Sequence, residues 1–492
     1  MITPSFKDFQ HLARQGNLIP VYDEIHFDWE TPISAFRKID SGEHSFLLES
    51  VEGGEKWGRY SFLGSEPAYL FRSKEDEVEI LRHGEVWQRR KEKDPLRALQ
   101  NFLATFHPVT HDSLPRFFGG AVGYVSYDLV RSLERIPEFL SPGLPFYDCY
   151  FMITDSLLIF DNVKQKIKVI ANVFLDEGQP AEELYAKAKE KIAKIIGRLQ
   201  TPATSIPRQK SSSPALLQSN LSPQEFIKGV QRAKEYIRAG DVIQVVLSQR
   251  FSTDLFCPPF DVYRALRSIN PSPYLFFLKM DQTILLGASP EVMVRLEGKQ
   301  IELRPLAGTR RRGQTPEEDL RLEVDLLADE KERAEHIMLV DLGRNDVGRV
   351  AEIGSVEVTE LMGVERYSHV MHIVSNVRGL LSPGKSGFDV FRAAFPTGTV
   401  SGAPKIRAME IIEELETVRR GPYAGAVGYF SFSGNLDTCI TIRSIFIKDG
   451  KAYIQAGAGI VADSEPEKEY EETLNKAQAI FRAIQQAEEG LP

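Results

Sequence analysis

The chain has 492 residues, of which 42% are hydrophobic, 10% aromatic and 26% charged; this ordinary globular composition excludes a collagenous, coiled-coil or disordered chain. Sixty Lys and Arg against sixty-nine Asp and Glu give a net charge of -9, with no basic block to follow a phosphate backbone, so nucleic acid is not an expected partner. The start, Met1 to Asp8, has no apolar run, no segment reaches bilayer length, and Cys149, Cys257 and Cys439 show no CxxC spacing. These features lead us to expect a cytoplasmic protein without disulfides or zinc.

In chain order, alternating segments at Ser45–Glu49 and Tyr147–Phe160 predict strands, and helical periodicity marks Pro95–Phe106 and Ala181–Leu199. Residues 1–200 therefore form an N-terminal α+β region. Pro, Ser and Thr dominate 201–221, which reads as a linker, and residues 222–488 form the second region.

There, Ser222-Pro-Gln-Glu225 is a capping box opening a helix that stops at Gly240, and a strand follows over Asp241–Phe251. Thr315-Pro-Glu-Glu318 predicts a long helix through Val340, and Ser464-Glu-Pro-Glu467 opens the C-terminal helix. Asp449-Gly450 predicts a tight hairpin between Thr441–Ile447 and Ala452–Ile460. Strands in hairpin series with separated helices predict an α+β fold with antiparallel sheets.

Several polar groups interrupt apolar patterns. On the C-terminal helix, Glu469, Glu472 and Lys476 border the stripe Tyr470, Leu474, Ala477, Phe481 and Ile484; this is either a solvated Glu/Lys ladder or the rim of a site. Glu335 stands on the apolar side of the preceding long helix, where Lys331 or Arg333 could pair with it. Should these acids share a cavity, their hard oxygens favour magnesium over zinc. The loop Phe395–Lys405 is small, hydroxylated and leads into a helical pattern over Ala403–Glu416, and Gln455–Ile460 carries glycines that admit close backbone approach. Gln244 and His372 lie within apolar strands, and Glu291 is an acid among hydrophobes, a candidate general acid with a raised pKa.

Six ordered motifs then carry a resemblance: Gln244-Val-Val-Leu-Ser248, Gly287-Ala-Ser-Pro-Glu291, Arg304-Pro-Leu-Ala-Gly-Thr309, Ala334-Glu-His-Ile-Met-Leu-Val-Asp341, the Phe395–Lys405 loop and Gly457-Ala-Gly-Ile-Val461. The chain resembles the chorismate-utilising enzymes. With Phe46-Leu-Leu-Glu-Ser50 and Arg59-Tyr-Ser-Phe-Leu-Gly64 it is similar to their anthranilate-forming branch over its whole length.

The resemblance implies two antiparallel sheets packed as a sandwich with helices outside. It implies Mg2+ held by Glu335 and Glu472, with Glu469 acting through water, and chorismate anchored by Thr309, Tyr423, Arg443, Gly457, Gly459 and Lys476. Glu291 is then the general acid that protonates the leaving hydroxyl, His372 supports pyruvate elimination, and Thr399 and Gln244 complete the catalytic set. Branches that add water carry a lysine where this chain has Gln244, and the aminodeoxychorismate-forming branch, the alternative reading, carries a lysine nucleophile where it has Ala307. No Gly-x-Cys-x-Gly motif surrounds any cysteine, so ammonia is expected from a separate glutamine amidotransferase subunit. Glu49, Ser50, Lys56, Pro271, Ser272 and Tyr274 resemble a tryptophan feedback site.

Overall fold

The computed structural model describes residues 2–26, 29–50, 58–111, 113–141, 143–175, 178–202, 216–367 and 370–491. Local signals act where they stand in the sequence. Ser222 Oγ accepts from the N–H of Glu225 while the Glu225 carboxylate accepts from the N–H of Ser222, and Gly240 ends the helix Pro223–Ala239 at φ +83°. Asp449 and Gly450, both with positive φ, close the hairpin of Ser444–Lys448 and Lys451–Ile460.

Among the described residues the strands assemble into two twelve-stranded sheets whose ladders are antiparallel. Phe62 of the first sheet meets Phe117 edge-on at 5.1 Å and Tyr429 of the second at 5.8 Å, within one continuous apolar layer between the sheets. A second cluster, including Phe36, Tyr263, Ile480 and Phe481, seals helices onto the outside of the first sheet. The α+β sandwich with external helices is thus observed.

Residues 1–200 and 222–488 do not own separate sheets. Phe46–Glu49 pair with Leu275–Leu278 in the first sheet, and Gly120–Val125 pair with Ala426–Ser431 in the second. Periodicity marks a strand without naming its partner, so a boundary drawn from composition could not show this interleaving. Residues 203–215 of the expected linker lie outside the described residues; its end is ordered, since Gln218–Ser219 pairs with Phe251–Ser252.

Two helix expectations are corrected. The helix predicted from Thr315 through Val340 is two helices, Pro316–Ala328 and Glu330–Gly348. Asp329 at φ -71°, ψ 108° caps the second, its Oδ1 accepting from the N–H groups of Lys331 and Glu332 at 3.0 and 3.2 Å. Apolar spacing is alike on both sides of that cap and hides the break. The box at Ser464 does not form: Glu465 is the N-cap of Pro466–Glu489, and Ser464 Oγ instead accepts from the N–H of Val461 at 3.0 Å.

Phe62 is nearly fully buried between the sheets. Phe62→Ala is expected to lower stability by ~3–5 kcal/mol, read as a shifted denaturant midpoint; a change below ~1 kcal/mol would show that this ring does not help hold the sheets together.

Candidate active site

The helix Glu330–Gly348 packs on the strands Leu306–Arg311 and Val370–Leu380, and the C-terminal helix packs along Lys451–Ile460. A cavity of about 770 Å³ opens between these strands, the C-terminal helix and the segment Asn270–Ser272, lined by Pro290, Thr309, Tyr367, His372, Arg443, Glu472 and Lys476, among others. A much narrower slot, lined by Glu291, Arg304, Leu339, Asp346, Thr397 and Thr399, adjoins it through the Pro290–Glu291 peptide.

Glu291 lies buried at the turn between Thr283–Ser289 and Val292–Glu297. Burial raises its carboxyl pKa to about 8, against the opposing effects of the Thr399 hydroxyl bond and the Arg443 charge. The acid therefore keeps its proton at neutral pH. Burial also pushes the Arg443 guanidinium below its ordinary value, with Glu291 and Tyr367 opposing.

His372 shows the reverse polarity. Burial, aided by the Arg443 charge, drives its pKa down to about 4. Its Nδ1 sits 3.1 Å from Gly308 O and 3.0 Å from Thr309 Oγ1. A carbonyl can only accept, so Nδ1 carries the hydrogen and Nε2 is left as the basic nitrogen. Nε2 is buried without a hydrogen-bond partner. A bulge between Ala307 and Thr309, with Gly308 at φ +72°, turns that carbonyl toward the ring.

The acids of the two helices approach one another. Half-buried Glu335 has its pKa raised by burial first and then by Glu332 and Glu472; Glu469 is raised by burial and again by Glu472. Gln244 Nε2 stands 3.5 Å from Glu335 Oε1, and Gln244 Oε1 is buried without a partner. Among the described residues neither Lys331 nor Arg333 forms an ion pair with Glu335, although the Lys331 charge acts on it; the ladder on the C-terminal helix does form, Lys476 Nζ lying 2.6 Å from Glu472 Oε1 while also donating to Gly457 O at 2.9 Å. Among the described residues no three His, Cys, Asp or Glu side chains form a ready metal cage. Two carboxylates that repel each other, with a neutral amide beside them, nonetheless suit Mg2+, which takes one or two protein carboxylates and completes its octahedron with water and substrate oxygens.

Glycines let Tyr423 and Gln244 lie close against the strand Lys451–Ile460. A Cβ on Gly457 would lie 2.7 Å from the Tyr423 hydroxyl and 2.9 Å from Leu247 O, and one on Gly459 would lie 2.6 Å from Gln244 Nε2. Tyr423 is buried, which raises its phenol to about 12 and keeps it a neutral donor.

Sequence reasoning missed the bracing beneath. Arg420, fully buried, donates to Glu416, to Val400 O at 2.7 Å and to Val246 O at 2.7 Å, while Glu416 Oε1 accepts from Ser248 N and Oγ at 2.9 and 2.8 Å. Lys405 likewise ties the Phe395–Lys405 loop to Asp346 at 2.6 Å. The available signal was the i,i+4 spacing of Glu416 and Arg420, which ordinarily reads as a surface pair.

The expected feedback residues divide. Glu49, Ser50 and Tyr274 line a small separate cavity with Arg116, Tyr429 and Asp437, whereas Pro271 and Ser272 line the large cavity and Lys56 lies outside the described residues. Glu49 already accepts from Tyr263 at 2.6 Å and from Arg267 at 3.2 Å, and Tyr274 donates to Asp437 at 2.7 Å.

This fold and pocket belong to a known class: the family of chorismate binding enzymes matches residues 43–482, and the chain belongs to it. Within that class it is similar over 99% of its length to the proteins named anthranilate synthase component 1 of Acetivibrio thermocellus, at 49% identity and covering 100% of that protein, and of Aquifex aeolicus, at 51% and covering 98%. The crystal structure of anthranilate synthase component I from Streptococcus pneumoniae aligns with a TM-score of 0.78 at 40% identity, over 93% of this chain and 99% of the other. The menaquinone-specific isochorismate synthase of Escherichia coli shares the fold, with a TM-score of 0.72 at 20% identity over 97% and 99% of the chains. The chain is an enzyme of this family. No described helix is long and apolar enough to cross a membrane.

Glu291 yields a stability test. Its folded pKa lies above the unfolded value of 4.5, so the folded state holds a proton that the unfolded state releases. The penalty is absent below about 4.5, grows as pH rises and is complete near 8. Glu291→Gln should therefore gain stability over the parent through that window, by on the order of a few kcal/mol, in parallel melts; curves of equal pH slope would refute the buried, protonated acid.

Proposed function

We propose that the chain is the chorismate-converting subunit of an anthranilate synthase, a magnesium-dependent lyase of the cytoplasm that turns chorismate and ammonia into anthranilate and pyruvate. The observation that carries the reading is a protonated Glu291 and a neutral His372 on adjoining walls around Arg443, in a chain about half identical, end to end, to proteins of that name. Two groups with pKa values pushed apart are the signature of an acid and a base with separate tasks.

In this reading Arg443, Lys476, the Tyr423 hydroxyl and the backbone around Gly457 and Gly459 receive the two carboxylates of chorismate. Glu335 and Glu472, with Glu469 through water, would hold Mg2+, which when bound supplies fixed positive charge at the ring carboxylate. Ammonia attacks ring carbon 2 as the double bonds shift and the carbon 4 to oxygen bond breaks. Glu291 gives its proton to the departing hydroxyl, which leaves as water. The ammonium formed at carbon 2 loses a proton to water; His372 Nε2 then takes the hydrogen from carbon 2 as the carbon 3 to oxygen bond breaks, the ring becomes aromatic, and the enolpyruvate released takes up a proton at its methylene carbon to become pyruvate. Gln244 supports this branch because ammonia needs no lysine base, and Ala307 offers no nucleophile in place of ammonia.

The partner is a glutamine amidotransferase subunit. None of the three cysteines is a plausible thiolate for glutamine: Cys149 and Cys439 are buried in strands, and burial raises the thiol pKa of Cys257 to about 12. Tryptophan inhibits by occupying the small cavity with Glu49, Ser50 and Tyr274.

The purified chain with chorismate, Mg2+ and an ammonium salt should form anthranilate, seen by fluorescence, and lose that activity in EDTA; accumulation of an aminated product that retains pyruvate would replace this reading with the aminodeoxychorismate one. Glu291→Gln should lower kcat by ~10²- to 10⁴-fold. Because the acid works protonated, kcat/KM should fall as pH rises through about 8; a flat profile from pH 6 to 10 would remove Glu291 from the role.

A further inference from the structure

The helix that carries Glu335 is tied by Asp329 and Glu332 at its start to Arg310 and by Asp346 near its end to Lys405; between these ends it lies on its sheet largely through apolar contacts. It buries Leu339, Val340, Gly343 and Val347; Val347 rests against Gly379, and Gly343 faces Pro305 and Val377. Such contacts are non-directional and fix the distance of a helix better than its rotation about its own axis. Rotation matters here. A carboxylate ~5–6 Å from the axis moves by ~1 Å for each ~10° of turn, a displacement able to cost ~10²-fold in rate.

Within that middle stretch, a fully buried polar contact joins the helix to the strand Val370–Leu380 beside Glu335. His336, fully buried, has Nε2 2.6 Å from Ser375 Oγ on the strand Val370–Leu380, and Ser375 is fully buried as well. The same hydroxyl accepts from the N–H of Met362 at 2.9 Å. Met362 stands at φ +54° in the strand Glu357–Arg366, where its pairing is broken by a bulge between Glu360 and Gly363. Helix, central strand and edge strand thus meet at one oxygen. The contact is not there for stability: His336 Nδ1 is buried without a partner, a loss that an apolar ring of similar size would avoid. What the imidazole adds is direction.

We propose that His336 is a positioning residue that, through Ser375, fixes the rotation of the helix Glu330–Gly348 and so presents the adjacent Glu335 carboxylate to a divalent cation. Consecutive helix residues project ~100° apart, so with His336 anchored in the sheet, Glu335 is directed along the helix flank toward Gln244, where its carboxylate is found. The inference rests on the reading of Glu335 as a metal ligand.

The test measures Mn2+ binding to the full chain by electron paramagnetic resonance, without substrate, alongside thermal melts. Glu335→Gln should weaken Mn2+ by at least ~10-fold, which establishes the ligand. His336→Phe and Ser375→Ala should each weaken it by ~10-fold while melting as folded proteins, and His336→Gln, whose amide reaches the position of Nε2, should return to within ~3-fold of the parent, in line with the effect of groups that orient metal ligands. Native Mn2+ affinity in both His336→Phe and Ser375→Ala, with loss only in Glu335→Gln, overturns the positioning role and leaves the ligand standing. Native affinity in Glu335→Gln removes the metal reading itself. If His336→Phe does not fold, Ser375→Ala decides.

Discussion

A guanidinium removed from water ties the hydroxylated loop to the strand that begins with Gln244. Arg420 is fully buried, and its planar fork is used on several fronts: the Glu416 carboxylate, Val400 O in the hydroxylated loop and Val246 O in the strand that begins with Gln244. The rings of Tyr127 and Tyr423 cover it at 4.7 and 5.7 Å. Desolvating such a pair costs several kcal/mol per ion and is recovered only when every donor finds an acceptor of good geometry. The fork therefore specifies as much as it stabilises: a lysine, with one point charge, could not satisfy three differently placed acceptors. Loop, strand and Tyr423 are thereby set relative to one another.

The same low-polarity setting explains the chemistry of the walls. Burial drives Glu291 up and His372 down, in each case toward the neutral form. Neither shift needs a tailored partner; both follow from placing a titratable group where water is scarce. The fold thus leaves one buried acid protonated and one buried imidazole neutral. Glu291 keeps its hydrogen because it has no adjacent counter-charge strong enough to remove it, and the Gly308 carbonyl orients His372 so that its free lone pair lies at Nε2. Lys476 and Glu472, by contrast, are about half exposed and paired with each other at 2.6 Å on the wall of the large cavity.

Legibility in the sequence follows the range of each interaction. The caps at Ser222 and Gly240 and the Asp449-Gly450 turn were readable because each is settled within four residues. The acid at Glu291 and the polar interruptions at Gln244 and His372 were readable because a charged or amide group in an apolar run demands an explanation. The interleaved sheets were not, since the ladder between Phe46–Glu49 and Leu275–Leu278 depends on which edges meet, about 230 residues apart. Nor was the bracing of Arg420 or the anchor of His336, because in the sequence both look like ordinary helix-associated polar residues and only their surroundings show them as buried. The break at Asp329 escaped for a related reason: the aspartate that caps the second helix also fits as a surface residue of one longer helix.

The interleaving has a mechanical consequence for the proposed regulation. Asn270 to Ser272 line the large cavity, Pro273 and Tyr274 line the small one, and Tyr274 opens the strand that pairs with Leu275's partner Glu49 on one side and with Thr283–Ser289, leading to Glu291, on the other. A ligand bound between Glu49 and Tyr274 would press on a segment whose preceding residues line the large cavity. Coupling between two sites requires that the ligand distinguish two arrangements of whatever they share. Here the shared element is five residues of backbone, closed at one end by the Tyr274 to Asp437 hydrogen bond and at the other by the Asn270 cap of the helix Pro259–Ile269. A single sandwich built from both halves of the chain makes that short connection possible; two independent domains would have left the cavities to communicate across a hinge.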